Sequence, residues 1–278
     1  MEPEKSLPSH VLNIKDLSQV LLLTLAMFVA SILFGALMMF IAGPQWALLA
    51  EALLIVPAIL VVRQRHMPFK LSFRFNAVSW PTLFYSFLII FPVLVLGDEM
   101  DRLLNIVFPL PNWFDVRELL AIRSLSDGVL IVGNGVIIAA LAEEMLFRGM
   151  IQQTFEFHRD TATAIVISAI LFAILHFNPW WMIQITILGL VLGYMAWKSA
   201  SIWPTVLLHG INNLLSIISA NTAEAKLSWY ASAVHVHWYW LVLAGLVVIP
   251  AFRGFNHACE KMHARQEREI QQGGFCEK

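Results

Sequence analysis

An all-α fold crossing a lipid bilayer about eight times is what this sequence predicts, on three observations. Of 278 residues, 59% are hydrophobic and only 13% charged, with a mean hydropathy of +0.71, whereas soluble domains average roughly 25% charged residues. The apolar residues fall in long runs with short polar connections, leaving no room for a separate soluble domain. With both termini placed in the cytoplasm, Lys and Arg gather overwhelmingly on that side.

A membrane-crossing helix needs about 20 apolar residues, in a range of roughly 17–25. Eight segments meet or approach this: 17–42, 46–62, 82–97, 128–147, 161–178, 181–197, 203–219 and 233–252. The first exceeds the ~7–15-residue core of a signal peptide, so it is expected to stay in the membrane. The second is short and carries Glu51, for which a packing or cavity role is expected. The third ends at Gly97-Asp98 and follows an amphipathic linker, Met67 to Pro81, expected to lie in the interface. The fourth and seventh are diluted by polar clusters. On the sixth, Gly189 and Gly193 form a GxxxG pair, which suggests close helix contact. The eighth opens beside His235, His237, Trp238 and Trp240, an aromatic belt at the membrane surface. His158, Arg159 and Asp160 read as a cytosolic turn.

In this arrangement 14 Lys and Arg residues are cytoplasmic, against Arg102, Arg117, Arg123 and Lys226 on the other side. Three of these four lie in the longest outer loop, 98–127, where the positive-inside rule is weakest. The chain thus divides into a cytosolic segment 1–16, an integral domain 17–252 with its polar core at about 140–215, and a charged cytosolic tail 253–278. The net charge of −1 supplies no basic field for nucleic acid. Cys259 and Cys276 both sit in the tail, without CxxC or zinc-finger spacing.

Three polar clusters interrupt the hydrophobic stretches: Glu143-Glu144-Met145-Leu146-Phe147-Arg148, Phe172-Ala173-Ile174-Leu175-His176 and His209-Gly210-Ile211-Asn212-Asn213. Charged residues at membrane depth cost about 2.5–3.5 kcal/mol each even on the lenient translocon scale, so a chain that keeps them there has a use for them. Glu144 and Arg148, four apart, share a helix face and can pair, while Glu143 points about 100° away. Phe172 and His176 share a face, as do His209 and Asn213. Taken singly, each cluster has a plain alternative: a solvated helix end, a packed histidine, an interhelical hydrogen bond. Together they hold a base to activate water and donors for a tetrahedral oxyanion, the equipment of peptide hydrolysis. The same residues also admit a zinc site on Glu143, His176 and His209 with one open position. No HExxH helix, GxSxG elbow or GxGD motif is present.

EEMLFRG fits an EExxxR motif, LFAILH fits FxxxH and HGINN fits HxxxN. In order and spacing these resemble the motifs of the CPBP intramembrane proteases, which include the type II CAAX prenyl endopeptidases and bacteriocin-processing relatives. The resemblance covers about 140–215 and implies an eight-helix integral membrane endopeptidase. It implies that Glu143 activates water, that His176 partners it, and that His209 and Asn213 stabilise the oxyanion, with Glu144, Arg148 and Phe172 in support. No cofactor is certain from it, zinc being the one in question. The implied partners are the lipid bilayer and a membrane-associated protein or peptide substrate, a prenylated CAAX-like C-terminus among the options, in a bacterial cytoplasmic membrane. The competing readings are a catalytically silent scaffold or immunity protein using the same cavity, and a transporter, for which paired broken helices are missing.

Overall fold

The computed structural model describes residues 8–41, 53–111, 117, 120–176 and 178–273. These residues are helical throughout, apart from connections and one isolated bridge between Ala231 and Val236. Helix α1 is Ile14–Ile41, α2 Val56–Gln64, α3 Phe69–Ser72 and α4 Trp80–Val107. Helix α5 runs unbroken over Leu125–His158, α6 is Thr161–Ile174, α7 Met182–Ser199, α8 Trp203–Ala220 and α9 Trp238–Gly273.

Among the described residues, Lys15–Ile41, Trp80–Val107, Leu125–His158, Met182–Ser199 and Trp238–Glu269 are long and apolar enough to cross a membrane. These are five of the eight expected segments. Leu53–Gln64 and Thr161–Ile174 are apolar but shorter, and Glu51 lies outside the described residues. Large apolar side chains stand exposed along these helices, from Leu22, Leu33 and Phe40 on α1 to Trp238 and Leu246 on α9. That is the surface a hydrocarbon solvent accepts and water does not.

The helix starts follow local chemistry. Ser79 caps α4 by accepting from the Thr82 N–H (3.3 Å), with Pro81 in the first turn. Ser124 caps α5 by accepting from Asp127 N (3.2 Å), and Asp160 caps α6 by accepting from Thr163 N (3.0 Å). Side-chain acceptors there satisfy N–H groups that have no partner inside the helix. The His158–Asp160 turn is therefore the joint between α5 and α6, with His158 Nε2 3.1 Å from the Leu12 carbonyl.

Two expectations change. Gly97-Asp98 does not end a helix: α4 continues to Val107, its last turns held by Arg102 on Asp98 (3.1 Å). The expected end of the fourth segment at 147 is also passed, since α5 runs on to His158. This leaves Arg148 inside a helix and fully buried, so it drops out of the count of loop charges. The linker 67–81 keeps one side exposed, with Phe69, Leu71 and Trp80 open, and turns the other side into the protein. On that inner side Phe73 is fully buried with Phe147 and Phe172 in the core, and Phe75 packs against Trp203 (5.5 Å).

The glycine pair on α7 meets α6 and α5 as expected. A Cβ on Gly189 would lie 3.0 Å from the Ala169 Cβ, and one on Gly193 would lie 2.9 Å from Gln152 Oε1. The aromatic residues at the start of α9 also cluster, Trp229 and Tyr230 packing on Trp240 and His237 stacking on Tyr239. Helix α9 carries on through the charged tail to Gly273, burying Phe255 and Cys259 against the α4–α7 side.

Candidate active site

The site is built where α5, α6 and α8 meet, and α5 is distorted there. Gly133–Ala139 and Met145–Ile151 are π-helical, flanking the short α-helical stretch Ala140–Glu144. Such widened turns are rare and concentrate at functional positions. Gly133 and Gly135 lower the cost of the first, since an open turn without side chains is easily deformed. The second begins directly after the two glutamates.

Glu144 and Arg148 are fully buried and pair at 2.9 Å. Neither is a solvated helix end, which removes the plain alternative for this cluster. Arg148 donates a second hydrogen bond to the Gly189 carbonyl on α7 (3.3 Å) and lies 4.2 Å from the Phe172 ring centre, a cation–π distance. Glu144 Oε1 also lies 2.9 Å from His209 Nδ1. The carboxylate beside a guanidinium can only accept, so Nδ1 carries the proton and Nε2 is turned away from Glu144.

That second nitrogen faces Glu143. His209 Nε2 is 3.8 Å from Glu143 Oε2, and His176 Nε2 is 3.9 Å from the same oxygen. Both separations exceed a direct hydrogen bond and suit one water bonding both groups. Glu143 Oε2 is buried and has no hydrogen-bond partner in the protein, so the structure leaves an acceptor at the point where the imidazoles converge. With both glutamates ionised and Arg148 cationic, the pocket holds one more negative charge than positive.

His176 lies two residues beyond the last residue of α6 and is oriented by Nδ1 against the Phe172 carbonyl (2.8 Å). The Phe172 ring packs edge-on to both imidazoles, 4.6 Å from His176 and 5.7 Å from His209. One aromatic ring thereby fixes two histidines and one arginine. Asn213 stands apart from this group. Its Nδ2 donates to the Gly135 carbonyl in the first π-helical stretch (2.9 Å), and its Oδ1 accepts from Asn212 (3.3 Å). Among the described residues it makes no direct bond to Glu143, His176 or His209; one of its two N–H groups is left for another acceptor.

The zinc alternative needs Glu143, His176 and His209 as a ligand set. Among the described residues, no three His, Cys, Asp or Glu side chains are placed to hold a metal ion. Sequence reasoning passed over Gly135 and gave Gly210 no role of its own. Gly210 brings α8 so close to α5 that a Cβ there would meet the Val136 carbonyl oxygen at 2.8 Å. A small residue directly after His209 was the available signal.

Residues 125–215 match the family model described as type II CAAX prenyl endopeptidase, Rce1-like. No curated protein and no solved structure matches the chain. The matched stretch, about a third of the chain, holds every residue of the Glu143–His176–His209 pocket, and it supports a CPBP/CAAX protease family for this chain.

Proposed function

We propose that this multi-pass membrane protein is an intramembrane endopeptidase that hydrolyses a peptide bond in a membrane-associated protein or peptide, with a prenylated CAAX-type C-terminus as the first candidate. The observation that carries the reading is the unpartnered Glu143 Oε2 within 4 Å of two imidazole nitrogens. Two chains of support favour it over a packed polar cluster: the imidazoles are each oriented from behind, and the acceptor they face is unoccupied by protein.

In this reading Glu143 takes a proton from a water that also contacts His176 or His209. The hydroxide adds to the carbonyl carbon, and negative charge collects on the carbonyl oxygen. Asn213, through its remaining N–H, and His209, when Nε2 is protonated, donate to that oxygen. The C–N bond then breaks as Glu143, directly or by relay through His176 Nε2, returns that proton to the leaving amine. Glu144 does not touch the water. Its task is to keep the His209 ring turned toward Glu143, while Arg148 balances its charge. We place both termini and the pocket toward the cytoplasmic face, with α2, α6 and α8 completing eight crossings.

The test is cleavage of a farnesylated, fluorogenic CAAX peptide by the purified full chain in detergent. Wild type is expected to cleave, and Glu143→Ala and His176→Ala to lose turnover while keeping their helical content and melting behaviour. Full activity in both variants would overturn the assignment.

A further inference from the structure

We propose that Arg74 is a positioning residue for this pocket, holding the helix that carries Glu143 and the helix that carries His209 at their working separation. Arg74 lies outside all three motifs and outside the matched residues 125–215. It is buried, at 6% exposure, and its backbone sits at φ 52, in the left-handed region that residues other than glycine adopt at a cost.

Its contacts run to both helices. The guanidinium forms an ion pair with Glu156, on the last turns of α5. The same guanidinium donates through Nη1 to the main-chain oxygen of Arg148 (3.3 Å), the residue whose side chain holds Glu144. The Arg74 carbonyl accepts from Ile202 N (3.1 Å), immediately before α8 begins. The left-handed turn lets one residue aim its side chain at α5 and its carbonyl at α8.

Flanking bonds repeat the pattern. Asn76 Nδ2 donates to the Ala200 carbonyl (2.6 Å), and Ser201 Oγ donates to the Asn76 carbonyl (2.7 Å). On the other side Gln153 Nε2 donates to the Leu71 carbonyl (3.1 Å), and Gln152 Nε2 joins Glu156 (2.8 Å) to the Gly193 carbonyl (2.9 Å). Residues 71–76 are thus a spacer wedged between α5 and the start of α8. From Arg74 the path to chemistry is short: Arg148, then Glu144, then His209 Nδ1. This inference rests on Glu143 and His209 acting as a pair.

The test uses the full chain in detergent, labelled with ¹⁵N-histidine, with the His209 signals assigned by their loss in His209→Gln. Wild type is expected to show a hydrogen-bonded Nδ1–H that exchanges slowly. Arg74→Gly suits the local backbone and deletes only the side chain. It is expected to broaden or lose that signal and to lower kcat on the CAAX peptide roughly 10- to 100-fold, the scale of an ångström-level misplacement, with KM little changed. Arg74→Lys, which keeps the charge opposite Glu156, should recover part of both. Should Arg74→Gly fail to fold, Glu156→Gln takes its place, since it retains an acceptor for Gln152 and removes the ion pair. A His209 signal unchanged from wild type in the folded variant overturns the proposal. Should wild type cleave nothing, the protease reading falls while the imidazole signal still decides the role of Arg74.

Discussion

His209 Nδ1 and Glu144 Oε1 lie 2.9 Å apart across two helices, and the carboxylate is at the same distance from the Arg148 guanidinium. A single fully buried oxygen therefore joins a cation on its own helix to an imidazole on α8. Removing it strands both partners. Glu144→Ala is expected to destabilise the protein by about 3–5 kcal/mol, the cost of leaving a buried charge uncompensated. Thermal unfolding in detergent measures it, and a midpoint equal to wild type would refute the positioning role of Glu144.

Glu143 behaves in the opposite way. Its Oε2 is buried without a protein partner, so the folded state gains little from it. Glu143→Gln should keep or raise the melting temperature while abolishing cleavage, the stability–activity trade expected of a site that holds a group for chemistry. A clear loss of stability would mean the carboxylate serves the fold instead.

Asn213 separates two roles. If its free N–H meets the developing oxyanion, Asn213→Ala lowers kcat by about 10²–10³. If it serves only to bind the Gly135 carbonyl, kcat stays within error of wild type and only the melting temperature moves. The ratio of the two effects in one preparation decides between them.

Metal dependence has a direct readout. Exhaustive dialysis against EDTA is expected to leave peptide turnover unchanged, as the water-only route requires. Loss of turnover, restored by added zinc, would show that Glu143, His176 and His209 rearrange to take the ion.

Gly149 is where the connector meets α5. A Cβ there would lie 2.8 Å from the Phe73 Cα, which is backbone and cannot step aside. Gly149→Ala should cost about 1–3 kcal/mol by overpacking. Gly97→Ala, where a Cβ meets nothing within 4 Å, is the control, expected to be neutral or stabilising in mid-helix. Equal melting curves for the two would refute the close approach.

Much of the architecture was legible because hydropathy and helical spacing are local. The long apolar runs of α1, α4, α5, α7 and α9 announce themselves by composition, and Glu144 with Arg148 by their four-residue separation. The misreadings share one cause. The ends of α4 and α5 depend on what each apolar or charged face meets across the fold. Arg148 looked like a loop charge because Gly189 and Phe172, which help bury it, are distant in sequence.

The order of residue types along the chain was enough to specify a helical membrane protein with carboxylates, imidazoles and amides in three separate clusters, since burial in lipid selects helices and penalises idle charge. Only the tertiary structure decided that Glu144, besides pairing with Arg148, holds His209, while Glu143 Oε2 is left open toward both histidines. That choice turns on the π-helical turns of α5 and on backbone approaches at Gly149 and Gly210, distances set by packing between helices and invisible to any local pattern.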